Sequence, residues 1–355
     1  MEPAAAPEVL IRREGRAGRI TLNRPKALNA LTLGMVREIW PALLAWKDDA
    51  EVELVLLDGA GDRGLCAGGD VRWLYDSSTN GSTDARAFWS EEYRLNALIS
   101  RYPKPYVSLM DGIVMGGGIG LSVHGRHRIV TERSQLAMPE TSIGLIPDVG
   151  GTWLLSRAPG AVGAYLGLTG ERMRGAGTIF AGFADTFVPS ARLSELATAL
   201  TASNGGEVDG IIKSFAEPPP ASELAQRADA IAGTFDFETV EEVRTALAGL
   251  NNEWTAKTLA ELASKSPLSL KLTLAAIRNA RGLGSLEDAL NVEYRLCTRL
   301  FEHGEFIEGV RALLVDKDRT PKWRPPTIEE SADVVVADWL RPLPDGEELG
   351  LKPLA

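Results

Sequence analysis

Residues 104–122 read KPYVSLMDGIVMGGGIGLS, an apolar run that passes into four glycines within six positions. The apolar run is typical of a buried strand, and IGLSVHG after it is typical of a helix that ends at Gly125. The unpaired N–H groups and positive dipole end of a starting helix suit an oxygen that carries negative charge. Glycine also lets a ligand approach the backbone closely. The stretch therefore predicts backbone donors at a strand-to-helix turn.

Three familiar glycine motifs do not fit this turn. A dinucleotide fingerprint fails because its sixth position would be Leu121 or Val123 instead of glycine. A nucleophile elbow fails because Ser122 lacks the second flanking glycine. A P-loop would need Gly-Lys-Ser/Thr, which does not occur here. Tight packing of the turn is the structural alternative to a donor site.

The pattern of strands and helices continues on both sides of the glycine cluster. It predicts a hairpin over 8–23, a buried strand in VELVLLDG, a helix over 84–101 and extended chain in HRIVTERSQLAM. Repeated strand, turn and helix units predict an α/β fold, with a Pro-rich connector at AEPPPASELAQ and helices after it, capped at Ser266 and Ser285. The predicted divisions are a core over 1–190, a connector over 191–225 and a helical C-terminal region over 226–355.

Composition narrows the class of protein. With 38 Lys+Arg against 48 Asp+Glu and a formal charge of -10, the chain is not expected to bind nucleic acid or an anionic membrane through a general positive field. No stretch approaches the roughly 18 to 20 unbroken apolar residues of a membrane helix. Two cysteines and a start without an apolar h-region indicate a reducing compartment and no secretory signal. We therefore predict a cytoplasmic protein.

A second glycine-rich helix entry, CAGGD at 66–70, supplies a second candidate donor. Two converging amides, at Gly69 and Gly117, would form an oxyanion hole for acyl or enolate chemistry. The stretch AMPETSIGLIPDVGGTWLL adds Glu140 and Asp148, a carboxylate pair that can activate water or move a proton. The structural alternative is a helix cap for the glutamate and a turn residue for the aspartate.

Other reactive residues are better explained by structure. Cys66 has no histidine near it in sequence, so a small packing residue is favoured over a nucleophile. His124 and His127 are three apart, but no third metal ligand is evident. Helix-end and strand positions explain both histidines, and no metal site is predicted.

Four spaced motifs, RITLNRPKALNAL, LCAGGD, GIVMGGGIGLS and MPETSIGLIPDVGGT, resemble the crotonase (enoyl-CoA hydratase/isomerase) superfamily over about residues 8–190. The resemblance implies a crotonase-like spiral of repeated β-β-α units and an acyl-CoA thioester as substrate. It implies that the amides of Gly69 and Gly117 bind the thioester oxygen. Coenzyme A is then part of the substrate, and no separate cofactor or metal is expected. Members of the superfamily often trimerise, so a homo-oligomer is possible, with a helical region covering the pocket as the alternative.

Hydratases of this superfamily use a second glutamate three residues beyond the oxyanion glycine, where this chain has Gly120. The motifs EEYRLN at 91–96 and FIEGVRALLVDKDRTPKW at 306–323 resemble instead the 3-hydroxyisobutyryl-CoA hydrolase subgroup, which acts in valine breakdown. That likeness implies hydrolysis of 3-hydroxyisobutyryl-CoA, or also of 3-hydroxypropionyl-CoA. The alternatives are an enoyl-CoA hydratase or isomerase and a non-catalytic acyl-CoA-binding subunit.

In that subgroup Glu140 is implied as nucleophile or base, and Asp148 is implied to position water or the substrate hydroxyl. Further substrate contacts are implied for Glu92, Gly68, Asp70, Arg72, Lys26 and Leu28. Two or three basic residues are expected to hold the phosphates of coenzyme A, from a set of Arg24, Lys26, Arg72, Lys317, Arg319 and Lys322.

Overall fold

The computed structural model describes residues 6–79, 84–331 and 335–353. The strands in these ranges are β1 (Val9–Glu14), β2 (Ala17–Leu22), β3 (Leu54–Gly59), β4 (Gly64–Cys66), β5 (Tyr106–Met110), β6 (Ile113–Met115), β7 (His127–Val130), β8 (Gln135–Ala137), β9 (Met173–Arg174) and β10 (Thr186–Phe187).

The helices up to the connector are α1 (Leu33–Asp48), α2 (Val71–Thr79), α3 (Asp84–Ser100), α4 (Gly117–Ser122), α5 (Gly151–Ser156), α6 (Val162–Thr169) and α7 (Gly175–Phe180). Those that follow are α8 (Leu193–Ala202), α9 (Val208–Phe215), α10 (Glu223–Gln226), α11 (Ala228–Phe235), α12 (Val240–Leu250), α13 (Glu253–Ala263), α14 (Pro267–Arg281), α15 (Leu286–His303), α16 (Glu305–Val310) and α17 (Val336–Leu340). Short 3-10 helices lie at Pro25–Ala27, Glu140–Ile143, Ser190–Arg192, Gly205–Glu207 and Glu329–Ser331, and a π-helical turn at Arg311–Val315.

The strands form two sheets, and the chain visits them alternately. One sheet has the order β1-β2-β3-β5-β7-β10 and the other β4-β6-β8-β9. Each of the pairs β3–β4, β5–β6 and β7–β8 gives one strand to each sheet before the next helix. Apart from the antiparallel β1–β2 hairpin and the antiparallel β8–β9 pair, neighbouring strands are parallel. This is the spiral of β-β-α units that the resemblance implied, and the predicted hairpin is confirmed.

The stretch that we predicted as one strand before the glycine cluster is two strands. β5 ends at Met110 and β6 starts at Ile113, in the other sheet. Gly112 makes this change of sheet possible, since it has φ +70° and a methyl group on it would lie 2.6 Å from the carbonyl oxygen of Arg63. The helix after the cluster also starts earlier and ends sooner than predicted, because Gly117 and Gly118 are already helical and it stops at Ser122. An apolar run in a sequence predicts that the segment is buried, but it does not indicate which sheet the segment joins.

The predicted connector carries helices of its own, because 191–225 contains α8, α9 and the start of α10. Helices α8 and α9 cover the outer face of the larger sheet with Leu196, Leu200 and Ile212. Further on, α14 packs on α5 and α6, and α15 packs on α3. The cap at Ser266 is confirmed, since its side chain accepts a hydrogen bond from the N–H of Ser269. The division into three regions stays a prediction.

Candidate active site

Two glycine-rich loops meet where the neighbouring parallel strands β4 and β6 of the smaller sheet end. Gly68 and Gly116 both have positive φ, 111° and 45°, so their loops take turns that glycine favours. A methyl group on Gly117 would lie 3.4 Å from the nitrogen of Gly69. A methyl group on Gly116 would lie 3.4 Å from the Cα of Gly68. The two predicted donor loops are therefore in contact.

The local hydrogen bonds leave two amides of these loops free to act as donors. Leu31 donates its N–H to the carbonyl oxygen of Gly68 at 2.8 Å, and Asp70 donates its N–H to that of Leu31 at 2.9 Å. These two hydrogen bonds use the residues on either side of Gly69 and not the N–H of Gly69 itself. The N–H of Gly117 belongs to the first residue of α4, where no intrahelical acceptor exists. Within the described residues, neither of the two N–H groups has an acceptor.

Three buried carboxylates lie near one another, and two of them are beside the glycine loops. Glu140 starts a 3-10 helix, Asp148 lies in the turn before α5 and Glu92 is on α3; their exposures are 5%, 6% and 2%. A methyl group on Gly117 would lie 2.5 Å from Oε1 of Glu92, and one on Gly116 would lie 3.2 Å from Oε1 of Glu140. The structure thus brings both predicted glycine loops and both predicted glutamates together.

Burial governs the charge of these carboxylates. It raises the pKa of Glu140 and of Glu92 well above the usual range, and the neighbouring Asp148 raises both further. Burial also raises the pKa of Asp148, to about 6, while the hydroxyl of Tyr93 opposes this rise by donating a hydrogen bond to Oδ2 at 2.6 Å. Asp148 is therefore the carboxylate whose ionised form is best supported. A raised pKa suits Glu140 as a base near neutral pH.

Oxygen atoms of the two glutamates remain without partners. Oε1 of Glu92 and Oε2 of Glu140 accept no hydrogen bond from any described residue, although both atoms are buried. Buried polar atoms in proteins nearly always have a hydrogen-bond partner, so each exception calls for an explanation, and a catalytic role is one of them. Oε1 of Glu92 is the atom beside Gly117, whereas the Glu140 atom beside Gly116 is Oε1, the other oxygen of that carboxylate. Oε1 of Glu92 and Oε2 of Glu140 can accept hydrogen bonds from a bound molecule.

Two of the predicted substrate contacts, Asp70 and Leu28, make hydrogen bonds within the entry loops. Asp70 accepts hydrogen bonds from Arg24 at 2.9 Å and from the N–H of Trp73 at 3.2 Å, so it ties the loops together and caps α2. Leu28 has φ 52° and its carbonyl oxygen accepts from Ala67. These contacts set the shape of the entry loops.

The basic residues also differ in their availability. Arg24 is held by Glu8 and Asp70, at 3.0 and 2.9 Å, and Arg72 pairs with Asp76 at the surface at 3.1 Å. Exposed side chains near the entry loops or in the C-terminal segment belong to Lys26, Lys317, Arg319 and Lys322. The C-terminal segment is close to the site, because α16 packs on α2 and on the 3-10 helix that Glu140 starts.

Three residues of the site were missed by the sequence analysis. Tyr93 and Asn96 lie on α3 with Glu92, and Asn96 is one helical turn beyond it. A methyl group on Gly120 would lie 2.8 Å from Nδ2 of Asn96, which is fully buried and has no hydrogen-bond partner among the described residues. Helical spacing in EEYRLN could have identified Asn96 as a companion of Glu92. The third, Glu293 of α15, holds the turn of Asp148, and nothing in the sequence signalled it.

The cysteine and histidines have structural surroundings. Burial raises the pKa of the Cys66 thiol to about 12, so it stays protonated and is a poor nucleophile. Nε2 of His124 is 2.7 Å from the carbonyl oxygen of Val149, and burial lowers the pKa of this imidazole to about 4. Nδ1 of His127 is 3.5 Å from Oδ1 of Asp209. The two imidazoles thus have different partners.

Comparison with known proteins agrees with the fold. Residues 17–340 match the sequence model of the enoyl-CoA hydratase/isomerase family. Mitochondrial 3-hydroxyisobutyryl-CoA hydrolase of Xenopus laevis is 44% identical over 329 residues, 90% of this chain and 85% of that protein. The same enzyme of Gallus gallus is 41% identical over 347 residues, 96% and 90% of the two chains. A crystal structure described as a carnitinyl-CoA dehydratase from Mycobacterium thermoresistibile superposes with a TM-score of 0.91 at 46% identity, covering 96% of this chain and 98% of that one.

The prediction of a cytoplasmic protein is wrong. The curated relatives are named as mitochondrial proteins, which points to the mitochondrion instead. The prediction rested on a low cysteine content, and this indicates a reducing compartment without saying which one. Within residues 6–79, 84–331 and 335–353, no helix combines the length and the apolar character that crossing a bilayer requires.

Proposed function

The chain belongs to the enoyl-CoA hydratase/isomerase family, the crotonase superfamily, and we propose that it is an acyl-CoA thioester hydrolase whose substrate is 3-hydroxyisobutyryl-CoA. The names of relatives at 41% to 44% identity support this substrate, and with it a role in valine breakdown. 3-Hydroxypropionyl-CoA, which lacks one methyl group, is a second substrate that the same site would accept.

One observation carries the choice of hydrolysis over hydration. Hydration of a double bond needs an acid and a base, which hydratases of this family supply as two glutamates. Here the position of the second glutamate is Gly120, and Asn96 and Val149 fill the space where its side chain would start, each 2.8 Å from a methyl group placed there. A thioesterase needs a single carboxylate at the carbonyl carbon, and Glu140 provides it.

In the proposed reaction, the N–H groups of Gly69 and Gly117 donate to the thioester oxygen and stabilise the negative charge that develops on it. The ionised Glu140 either attacks the carbonyl carbon, to form a mixed anhydride that water then cleaves, or takes a proton from the water that attacks. The bond from carbon to sulfur breaks and the thiolate of coenzyme A takes up a proton. The products are the free hydroxy acid and coenzyme A on both routes.

The remaining carboxylates have supporting roles in this proposal. Asp148, kept ionised by Tyr93, accepts a hydrogen bond from the attacking water or from the 3-hydroxyl of the substrate. Oε1 of Glu92, next to Gly117 and without a partner among the described residues, is a second acceptor for the acyl group. Both roles use a carboxylate oxygen as acceptor, so neither needs a proton to be transferred.

The test is release of free thiol from 3-hydroxyisobutyryl-CoA by the wild-type chain and by Glu140→Gln. Loss of a nucleophile or general base is expected to lower kcat by on the order of 10²- to 10⁴-fold, with KM little changed. Glu132→Gln is the matched control, because Glu132 is exposed and accepts a hydrogen bond from the backbone of Ser190 outside the site. Wild-type turnover in Glu140→Gln would refute the role of Glu140. Hydration of an enoyl-CoA without release of thiol would replace the proposed function by a hydratase.

A further inference from the structure

The turn that carries Asp148 has an uncommon backbone. Val149 has φ 52°, a left-handed conformation that is rare for a β-branched residue, and Gly150 follows with φ 82°. The turn gains one internal hydrogen bond, from the N–H of Gly151 to the carbonyl oxygen of Asp148 at 2.6 Å. One such bond does not account for a conformation of this kind. Contacts from other parts of the fold must hold it.

A carboxylate from the helical C-terminal region makes most of these contacts. Glu293 of α15 is fully buried, and its Oε2 accepts a hydrogen bond from the N–H of Gly150 at 2.7 Å. Its Oε1 accepts from the N–H of Thr152 at 2.8 Å and from the hydroxyl of Thr152 at 2.5 Å. Three donors on one carboxylate offset part of the cost of burying its charge, although burial still raises the pKa of Glu293 to about 8.

The same helix face also reaches the other side of Asp148. Cys297, one turn beyond Glu293, lies with its Sγ 3.4 Å from the hydroxyl of Tyr93, and this hydroxyl donates to Oδ2 of Asp148. Helix α15 therefore contacts both the backbone that carries Asp148 and the tyrosine that binds its side chain. Among the described residues, Glu293 is the carboxylate that accepts hydrogen bonds from the backbone of this turn.

We propose that Glu293 is a positioning residue: by fixing the backbone of the turn it sets the place of Asp148 in the hydrolysis reaction. This inference rests on the proposed function, which assigns Asp148 a part in that reaction. The hydrogen bonds of Glu293 go to Gly150 and Thr152, and to neither glycine loop. The charge of Glu293 also raises the pKa of Glu140, so its effect on kcat should pass through Asp148 when turnover is measured at a pH where Glu140 is ionised.

Glu293→Gln is the sharpest perturbation, because it keeps the size of the side chain and exchanges one acceptor for a donor. The amide oxygen can still accept from Thr152, but the NH₂ group then faces the N–H of Gly150, a donor against a donor. The turn is expected to shift, and a misplacement of about 1 Å in a reacting group can lower the rate by about 100-fold. We expect kcat to fall about 10- to 100-fold while KM stays close to the wild-type value.

A double-mutant comparison separates positioning from general destabilisation. In a chain that already carries Asp148→Asn, adding Glu293→Gln should change kcat by no more than about twofold, because residues that act through one another are not additive. The matched control is Glu287→Gln, which removes another buried carboxylate of α15, one that pairs with Arg101 instead of the turn. Its effect should be the same with and without Asp148→Asn. An equal loss from Glu293→Gln in both backgrounds, or no loss in the wild type, would overturn the proposal.

Two further measurements keep the test independent of folding yield and of the proposed function. If Glu293→Gln does not fold, Thr152→Val removes only the hydroxyl donor and should show the same non-additive pattern with a smaller loss. Amide hydrogen exchange at Gly150 and Thr152 should be faster in Glu293→Gln than in Glu287→Gln. If Asp148→Asn alone has no effect on thiol release, the role assigned to Asp148 is wrong. The exchange rates still test whether Glu293 holds the turn, and unchanged exchange in Glu293→Gln would show that it does not.

Discussion

Replacing Gly117 by alanine tests whether its amide is part of the reaction centre. The added methyl group would lie 2.5 Å from Oε1 of Glu92, about 1 Å closer than non-bonded atoms prefer. Glu92 is buried on α3 and cannot simply rotate into solvent, so the start of α4 must shift with the N–H that it carries. Loss of one oxyanion donor costs on the order of 10²- to 10³-fold in kcat, or about 3 to 4 kcal/mol. We expect a loss of this size.

Thiol release from 3-hydroxyisobutyryl-CoA is the assay, and the split between kcat and KM is informative. An interaction made mainly in the transition state lowers kcat and kcat/KM together, whereas general loosening of the pocket raises KM. Gly210→Ala in α9 is the matched control, since a methyl group there meets nothing within 4 Å. Wild-type kcat/KM in Gly117→Ala, with an intact fold, would show that the thioester oxygen is bound elsewhere.

Three more results are expected. Tyr93→Phe removes the donor that favours ionised Asp148, so the pKa of this carboxyl should rise above about 6 and the acid limb of the pH profile of kcat/KM should move to higher pH. At pH values above 6, Asp148→Asn should raise the thermal midpoint. The pKa of Asp148 rises from 3.8 to about 6 on folding, so the native state binds the proton more tightly than the unfolded state. The wild-type chain therefore loses about 3 kcal/mol of stability as the pH rises from below 3.8 to above 6. The gain should vanish in acid, as thermal scans across pH will show. Gly120→Glu should lower the thermal midpoint and give no hydration of an enoyl-CoA, because Asn96 and Val149 occupy the space of the new side chain.

The parts of the fold that the sequence predicted well are those with local signals. The hairpin over 8–23 alternates between polar and apolar residues around Gly15, and the helix capped by Ser266 starts with proline and is followed by Gly282. Alternation, capping residues and turn glycines are patterns of residues close in sequence, so each can be recognised within one segment of the chain. The division of the central run into β5 and β6 has no such signal, because both strands are apolar and only the Asp111-Gly112 step interrupts the run.

The candidate site could be predicted where glycine or a carboxylate follows a recognisable turn. Gly69, Gly117, Glu140 and Asp148 stand in that position, and the structure brings their loops together. The spacing of the motifs did not reveal the distance between the two glycine loops, which depends on the pairing of β4 with β6. Arg24 also shows the limit, since it was expected to be available to a phosphate and instead ties Glu8 to Asp70. A charge in the sequence does not reveal whether the fold already neutralises it.

Glu293 lay beyond prediction for a related reason. On α15 it follows the same apolar spacing as Leu290 and Cys297, so the helical pattern marks only a position that faces inward. Whether an inward carboxylate destabilises the fold or stabilises a turn depends on the hydrogen-bond donors opposite it. Here one of these donors, Thr152, lies 141 positions earlier in the chain. Long-range polar contacts of this kind leave no periodic trace.

The neutral side chain next to Gly120 has an electrostatic consequence for the whole site. Burial raises the pKa of Glu140, and the like charges of Asp148, Glu293 and Glu92 raise it further. A further glutamate at position 120 would push its pKa higher still and keep it protonated at neutral pH. Asn96 fills that space without a charge, so it adds no like-charge repulsion to the ionised form of Glu140. Replacing Asn96 by aspartate should therefore move the acid limb of thiol release to higher pH, whereas an unchanged profile would mean that charge at this position does not reach Glu140.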